Sequence, residues 1–139
     1  SYYVDVYNET PSLLETKHPN LNTKPFKVMS SLLKSNCRVT SQPDWGDVFI
    51  SLEGANHPSE KEILKYIISF RDECHFHEEI CETIFTRLNE AFEPRSLSVA
   101  CLYVRRGGWD INPIRTTHEY LIDEFFWDHK VPWIKTLRQ

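Results

Sequence analysis

Hydrophobic and polar positions alternate along some stretches of this chain and recur every three to four residues along others. Residues 47–53 alternate most cleanly, with Val48, Ile50 and Leu52 on one face and Phe49 and Ser51 on the other, which predicts a strand. Residues 28–33 and 97–104 have the same strand character. Between them the period changes. Ile63, Leu64, Ile67 and Ile68 form one helical stripe, and Ile80, Ile84, Phe85, Leu88 and Phe92, with Phe76 ahead of them, form a second. Ser59 followed by Glu62 reads as a capping box: the serine hydroxyl accepts the Glu62 N–H while the glutamate reaches back to the Ser59 N–H. Pro94 stops the second helix.

The flanking segments complete the order. Residues 38–46 read as a polar loop with turn signals at Pro43 and Gly46, and Gly107-Gly108 turns the chain into a last strand over 109–114. Residues 2–7 are β-branched and aromatic and read as a strand. Residues 12–27, bracketed by Pro11 and Pro25, read as a connector over a surface. The tail, with Phe125, Phe126, Trp127 and Trp133, is too aromatic for a disordered segment. Hairpins on either side of a helix pair predict an α+β fold of β-β-α-α-β-β order. An antiparallel four-stranded sheet would carry both helices on one face.

Composition narrows the function classes. The chain has 139 residues, 40% hydrophobic and 26% charged, as expected of one globular domain with its own core. A net charge of -4 argues against direct nucleic-acid binding through phosphate contacts. No apolar run approaches the roughly 18 residues of a membrane span. Four irregularly spaced cysteines do not make a disulfide framework, so a reducing, cytoplasmic setting is expected. The opening at Ser1, already strand-like, points to a piece of a longer chain.

Three clusters could carry chemistry. Cys37 precedes Asp44 by seven residues in a loop; a thiolate can add to an electrophile while a nearby acid delivers a proton, or the cysteine can be a buried strand-end residue and the aspartate a turn former. Glu78 falls in the first turn of the second helix. There the free N–H groups keep a carboxylate ionised and able to accept two parallel N–H bonds from a guanine-like face, or it is an ordinary helix-favouring acid. Cys74, His75, His77 and Cys81 offer zinc ligand types at a spacing that matches no common structural pattern, and Cys101 reads as core. The basic turn Arg105-Arg106-Gly107-Gly108 could hold a phosphate or simply be solvated.

SLLKSNC (31–37), QPDWG (42–46), SFRDECHFHEE (69–79) and RRGGWDINP (105–113) occur together in one order. In order and spacing they resemble the C-terminal half of the long, two-module NADPH-dependent 7-cyano-7-deazaguanine reductases, members of the tunnelling-fold superfamily. The resemblance covers roughly residues 28–115, together with DVYNETPSLL, which looks like the junction with a preceding module. It implies residues 1–27 as a connector from a missing N-terminal module and 28–139 as the tunnelling-fold catalytic domain. It also implies a four-electron reduction of a nitrile to a primary amine with two NADPH, in queuosine biosynthesis. Cys37 matches the nucleophile that forms a covalent thioimide, Asp44 the proton donor, His77 the neighbouring proton-handling histidine and Glu78 the anchor of the deazaguanine ring. Arg106 matches the arginine before the paired glycines and is the one candidate here for a cofactor phosphate. The family's NADPH-linked Glu-Ser-Lys-Ser-x-Lys type motif is met here by Ser59-Glu-Lys-Glu-Ile-Leu64, where Lys61 agrees and Ser59 and Leu64 do not. That departure predicts poor NADPH binding by these residues unaided. The expected partners are a deazapurine substrate, the preceding module and identical subunits in a homo-oligomer, with no resident metal. Two other classes stay open: a non-catalytic purine-binding module of the same fold, and a zinc-dependent relative resembling a GTP cyclohydrolase.

Overall fold

A computed structural model describes residues 9–21, 24–36, 40, 42–103 and 112–118, with the backbone of 135–137. Residues 2–7, Cys37, Arg105 to Gly108 and the tail aromatics Phe125, Phe126, Trp127 and Trp133 lie outside the described residues. After a 3-10 turn at Pro11–Leu14 the elements run β1 (His18–Pro19), β2 (Phe26–Asn36), β3 (Pro43–Glu53) and β4 (Asn56–His57). Then come α1 (Glu60–Ile68), α2 (His77–Phe92), β5 (Ser96–Tyr103), β6 (Pro113–Thr116) and β7 (Lys135–Leu137). The main sheet has the order β2-β3-β5-β6-β7, and β1 pairs with β4 in a two-stranded satellite. Pairing is antiparallel from β2 through β6, as expected; β7 adds a fifth strand parallel to β6.

The predicted α+β fold is therefore present, with two corrections of detail. Pro43 to Gly46 is strand, not loop. A proline is tolerated at the first position of a strand, and Gly46 marks a close approach of neighbouring atoms instead of a turn. With β3 extended back to Pro43, every second residue from Asp44 to Leu52 is buried. The second correction concerns Phe76, which is the N-cap of α2 and 45% exposed, outside the apolar stripe it had been expected to join.

Both helices cover one face of the sheet. Ile63, Tyr66 and Ile67 of α1 and Ile80, Ile84, Phe85, Leu88 and Phe92 of α2 pack on Leu33, Val48, Ile50, Leu52, Leu97, Val99 and Cys101. Full burial of each such Leu, Ile or Phe is worth about 1.5–3 kcal/mol, which makes this face the main source of stability. The capping box forms as expected: Ser59 Oγ accepts the Glu62 N–H at 3.1 Å and Glu62 Oε1 accepts the Ser59 N–H at 3.0 Å. Leu64 and Ile68 leave the expected stripe because Tyr66 takes the inner position. They line a groove of about 440 Å³ with Leu32, Glu60 and Lys61. The preceding segment is drawn into the fold. Leu14 is 1% exposed, and Glu9 accepts from Tyr66 Oη at 3.0 Å and from Arg87 Nε and Nη2 at 3.3 Å each.

Candidate active site

A β-bulge prepares the site. Ser30 faces Val48 in the β2–β3 register and Leu33 faces Gly46, so three steps on β2 match two on β3. The extra residue reverses the parity of β2. Ser30 is buried before the bulge; Leu33 and Ser35 are buried after it. Ser35 consequently sits opposite Asp44, and Asn36 opposite Pro43.

The end of β2 is held by the segment that leads into α2. The Asn36 N–H donates to the Glu73 carbonyl at 2.8 Å, and Asn36 and Cys74 form a parallel bridge. Helix α2 starts three residues later. Glu79 Oε1 accepts the Phe76 N–H at 2.8 Å, satisfying one of the donors that a helix start leaves open. His77 is thereby presented toward β3, with its Nε2 3.3 Å from Asp44 Oδ2. Asp44 is 6% exposed, so this contact lies in a largely desolvated setting where a proton shared between carboxylate and imidazole interacts strongly. Glu78 follows in the same first turn, half-buried.

Tyr103, which sequence reasoning missed, closes this group. Its ring stacks on His77 with centroids 3.7 Å apart and planes 5° apart. Tyr103 also lies against Gly46, where a Cβ would meet Tyr103 Cδ1 at 3.1 Å and Cε1 at 3.3 Å. Burial pushes the Tyr103 hydroxyl well above the usual tyrosine range, so the phenol stays protonated. The signal for Tyr103 was a period of two: Leu97, Val99, Cys101 and Tyr103 share a face once β5 is taken as a strand.

The structure thus brings Asp44, His77 and Glu78 to one end of the sheet, beside Asn36. Cys37 and Arg106 are outside the described residues. The four zinc-type side chains diverge. Cys74 is exposed and His75 turns to Glu73 at 3.4 Å; Cys81 Sγ is buried against the carbonyls of Val99 and Pro113 at 3.3 and 3.5 Å. Among the described residues no group of three or more His, Cys, Asp or Glu could hold a metal ion. Cys101 is core, its thiol pushed well up by a hydrogen bond with Cys81 and by burial. No helix among the described residues is long and apolar enough to cross a membrane.

Comparison with known proteins bears on the family. The chain is 43% identical over 122 residues to the NADPH-dependent 7-cyano-7-deazaguanine reductase of Hydrogenovibrio crunogenus, a match covering 86% of this chain and 42% of that protein. It is 44% identical over 137 residues to the protein of that name from Ralstonia nicotianae, covering 96% of this chain and 44% of the relative. The chain therefore spans about two fifths of the length of the curated relatives it matches. A solved structure of the archaeosine synthase QueF-Like in the apo form shares the fold at 16% identity. Its TM-score is 0.63, over 68% of this chain and 94% of the other. The QueF-like protein family model matches residues 43–121, more than half the chain, and with it most of the described site, so this chain belongs to the QueF-like family.

Proposed function

We propose that this chain carries the catalytic residues of an NADPH-dependent 7-cyano-7-deazaguanine reductase that acts in the cytoplasm, in queuosine biosynthesis. Its further partners are the preceding module and identical subunits. The observation that supports this best is the 3.3 Å approach of His77 to the buried Asp44, beside a strand that ends at Asn36. Cys37 follows Asn36 directly in the sequence. Asn36 is itself opposite Pro43, the residue before Asp44.

A nitrile is a weak electrophile, and addition becomes favourable when nucleophile and acid act on opposite ends of the C–N bond. The Cys37 thiolate adds to the nitrile carbon, forming the C–S bond while the electron pair of one C–N π bond moves to nitrogen. Asp44 supplies the proton that neutralises that nitrogen, which gives a thioimide. Asp44 must enter protonated, and His77 beside it is placed to return the proton between turnovers. Glu78, ionised at the helix start, accepts the ring N–H and exocyclic amine of the base. NADPH, when bound, supplies the two hydrides of the four-electron reduction. Residues 59–64 of this chain do not fit a nucleotide phosphate: Ser59 and Glu62 are committed to each other in the helix cap, and Leu64 lines an apolar groove.

Incubation with 7-cyano-7-deazaguanine should raise the protein mass by one substrate, with the label on Cys37 and lost in Cys37→Ala. The absence of any adduct in the longer, two-module protein would end this reading.

A further inference from the structure

We infer that Tyr103 is a positioning residue for His77, a flat wedge between the β3 backbone and the imidazole that keeps the histidine edge turned toward Asp44. This rests on the proposed role of His77 in moving protons. Three observations carry it. The two rings are stacked in nearly parallel planes, 3.7 Å and 5°, a contact that leaves the imidazole little freedom to tip. The ring also lies close to the β3 backbone: at Gly46 even a methyl group would come within 3.1 Å of both the Leu102 carbonyl oxygen and the tyrosine ring, so any side chain there would crowd it. From the opposite strand end, the Tyr103 N–H donates to Asn112 Oδ1 at 3.1 Å, which fixes the residue along β5. His77 Nε2 meets Asp44 at the edge of this stack.

The hydroxyl has no part in the device. Tyr103 Oη is shut off from solvent and has no hydrogen-bond partner among the described residues. The ring does the positioning, and Phe can replace it. Such an arrangement matters because a displacement of about 1 Å in a group that transfers a proton can cost on the order of 100-fold in rate.

The test reads His77 directly. In proton NMR of this chain, the His77 ring hydrogens, assigned by their loss in His77→Gln, should lie upfield because they sit over the face of the tyrosine ring. Tyr103→Phe should keep that displacement, Tyr103→Leu should abolish it, and Gly46→Ala should reduce it by pushing the ring aside. In the longer protein, Tyr103→Leu should lower kcat for nitrile reduction by about tenfold or more, with KM for the nitrile little changed, and Tyr103→Phe should restore most of it. Ordinary His77 shifts in the unsubstituted chain would overturn the inference without any variant. So would equal damage from Phe and Leu, which would assign the effect to the hydroxyl. The shifts need no substrate, so a longer protein without nitrile turnover would sink the proposed function and leave the stack to stand or fall on its own.

Discussion

For Asp44 the residue-scale consequences follow from its burial. An aspartate that is 6% exposed, with an imidazole edge at 3.3 Å, has exchanged most of its hydration for contacts with the protein. Asp44→Asn keeps the shape and removes the transferable proton, so it should slow adduct formation on Cys37 by about 10²–10⁴-fold while the base still binds. Rapid-quench mass spectrometry of the adduct checks this, and a rate within a few-fold of the parent would remove Asp44 from the proton donor's role. Glu78→Ala should act the other way, weakening base binding in a calorimetric titration while Cys37 still reacts with a generic alkylating agent. Cys37, Asp44, His77 and Glu78 were named in the sequence through resemblance. Tyr103 and Gly46 were not, because their role exists only across a strand pair: Gly46 faces Tyr103 in the β3–β5 register, and nothing local to either residue announces that.

At the scale of elements, the helices were read correctly where a periodic stripe met a named stop signal. Ser59 with Glu62 opens α1, and Pro94 follows directly on the last residues of α2. Burial works against ionised Glu62, and is outweighed by the Ser59 hydroxyl, the Ser59 N–H and His18, so the carboxyl lies below its ordinary value. A carboxyl lowered by folding adds stability above its unfolded pKa and loses it as pH falls through the folded one. Ser59→Ala should therefore cost about 1 kcal/mol in urea unfolding at neutral pH, and the difference should shrink in acid. The strands were harder. Pro43 and Gly46 carry strong turn signals, and the tertiary reason for them, a strand start and a close approach, is invisible to a local reading. The bulge between Ser30 and Leu33 is likewise set by pairing. Deleting Leu32 removes the extra residue, so Leu33, which is fully buried, and Ser35 should keep their face and the variant should melt near the parent; one more residue inserted after Leu32 should turn both outward and melt well below it.

Among the described residues one helical layer covers the main sheet, and a carboxylate helps to tie the leading segment to both helices. Glu9 bonds to Tyr66 of α1 and to Arg87 of α2, so the segment before the domain and both helices share one junction. Burial, with the Glu9 charge and hydrogen bond adding to it, raises the Tyr66 hydroxyl far above the usual tyrosine range. A raised acid is stabilising below its unfolded pKa and increasingly costly above it, so stability should fall steeply once pH passes about 10. Glu9→Ala should lower stability by about 2 kcal/mol and make residues 9–17 a preferred site of limited proteolysis, read by the fragment masses. An unchanged cleavage pattern would mean that the other ties, Leu14 in the core and the Thr10 N–H on Ser69 Oγ, hold the segment without it.

The bare α-carbon at position 46 fixes the clearance between a strand and two aromatic planes. Its hydrogen is the spacer of the assembly. Natural variation there is consequently not independent: a sequence that gains a methyl at 46 has to surrender ring thickness at 103, and the pair should change together or not at all.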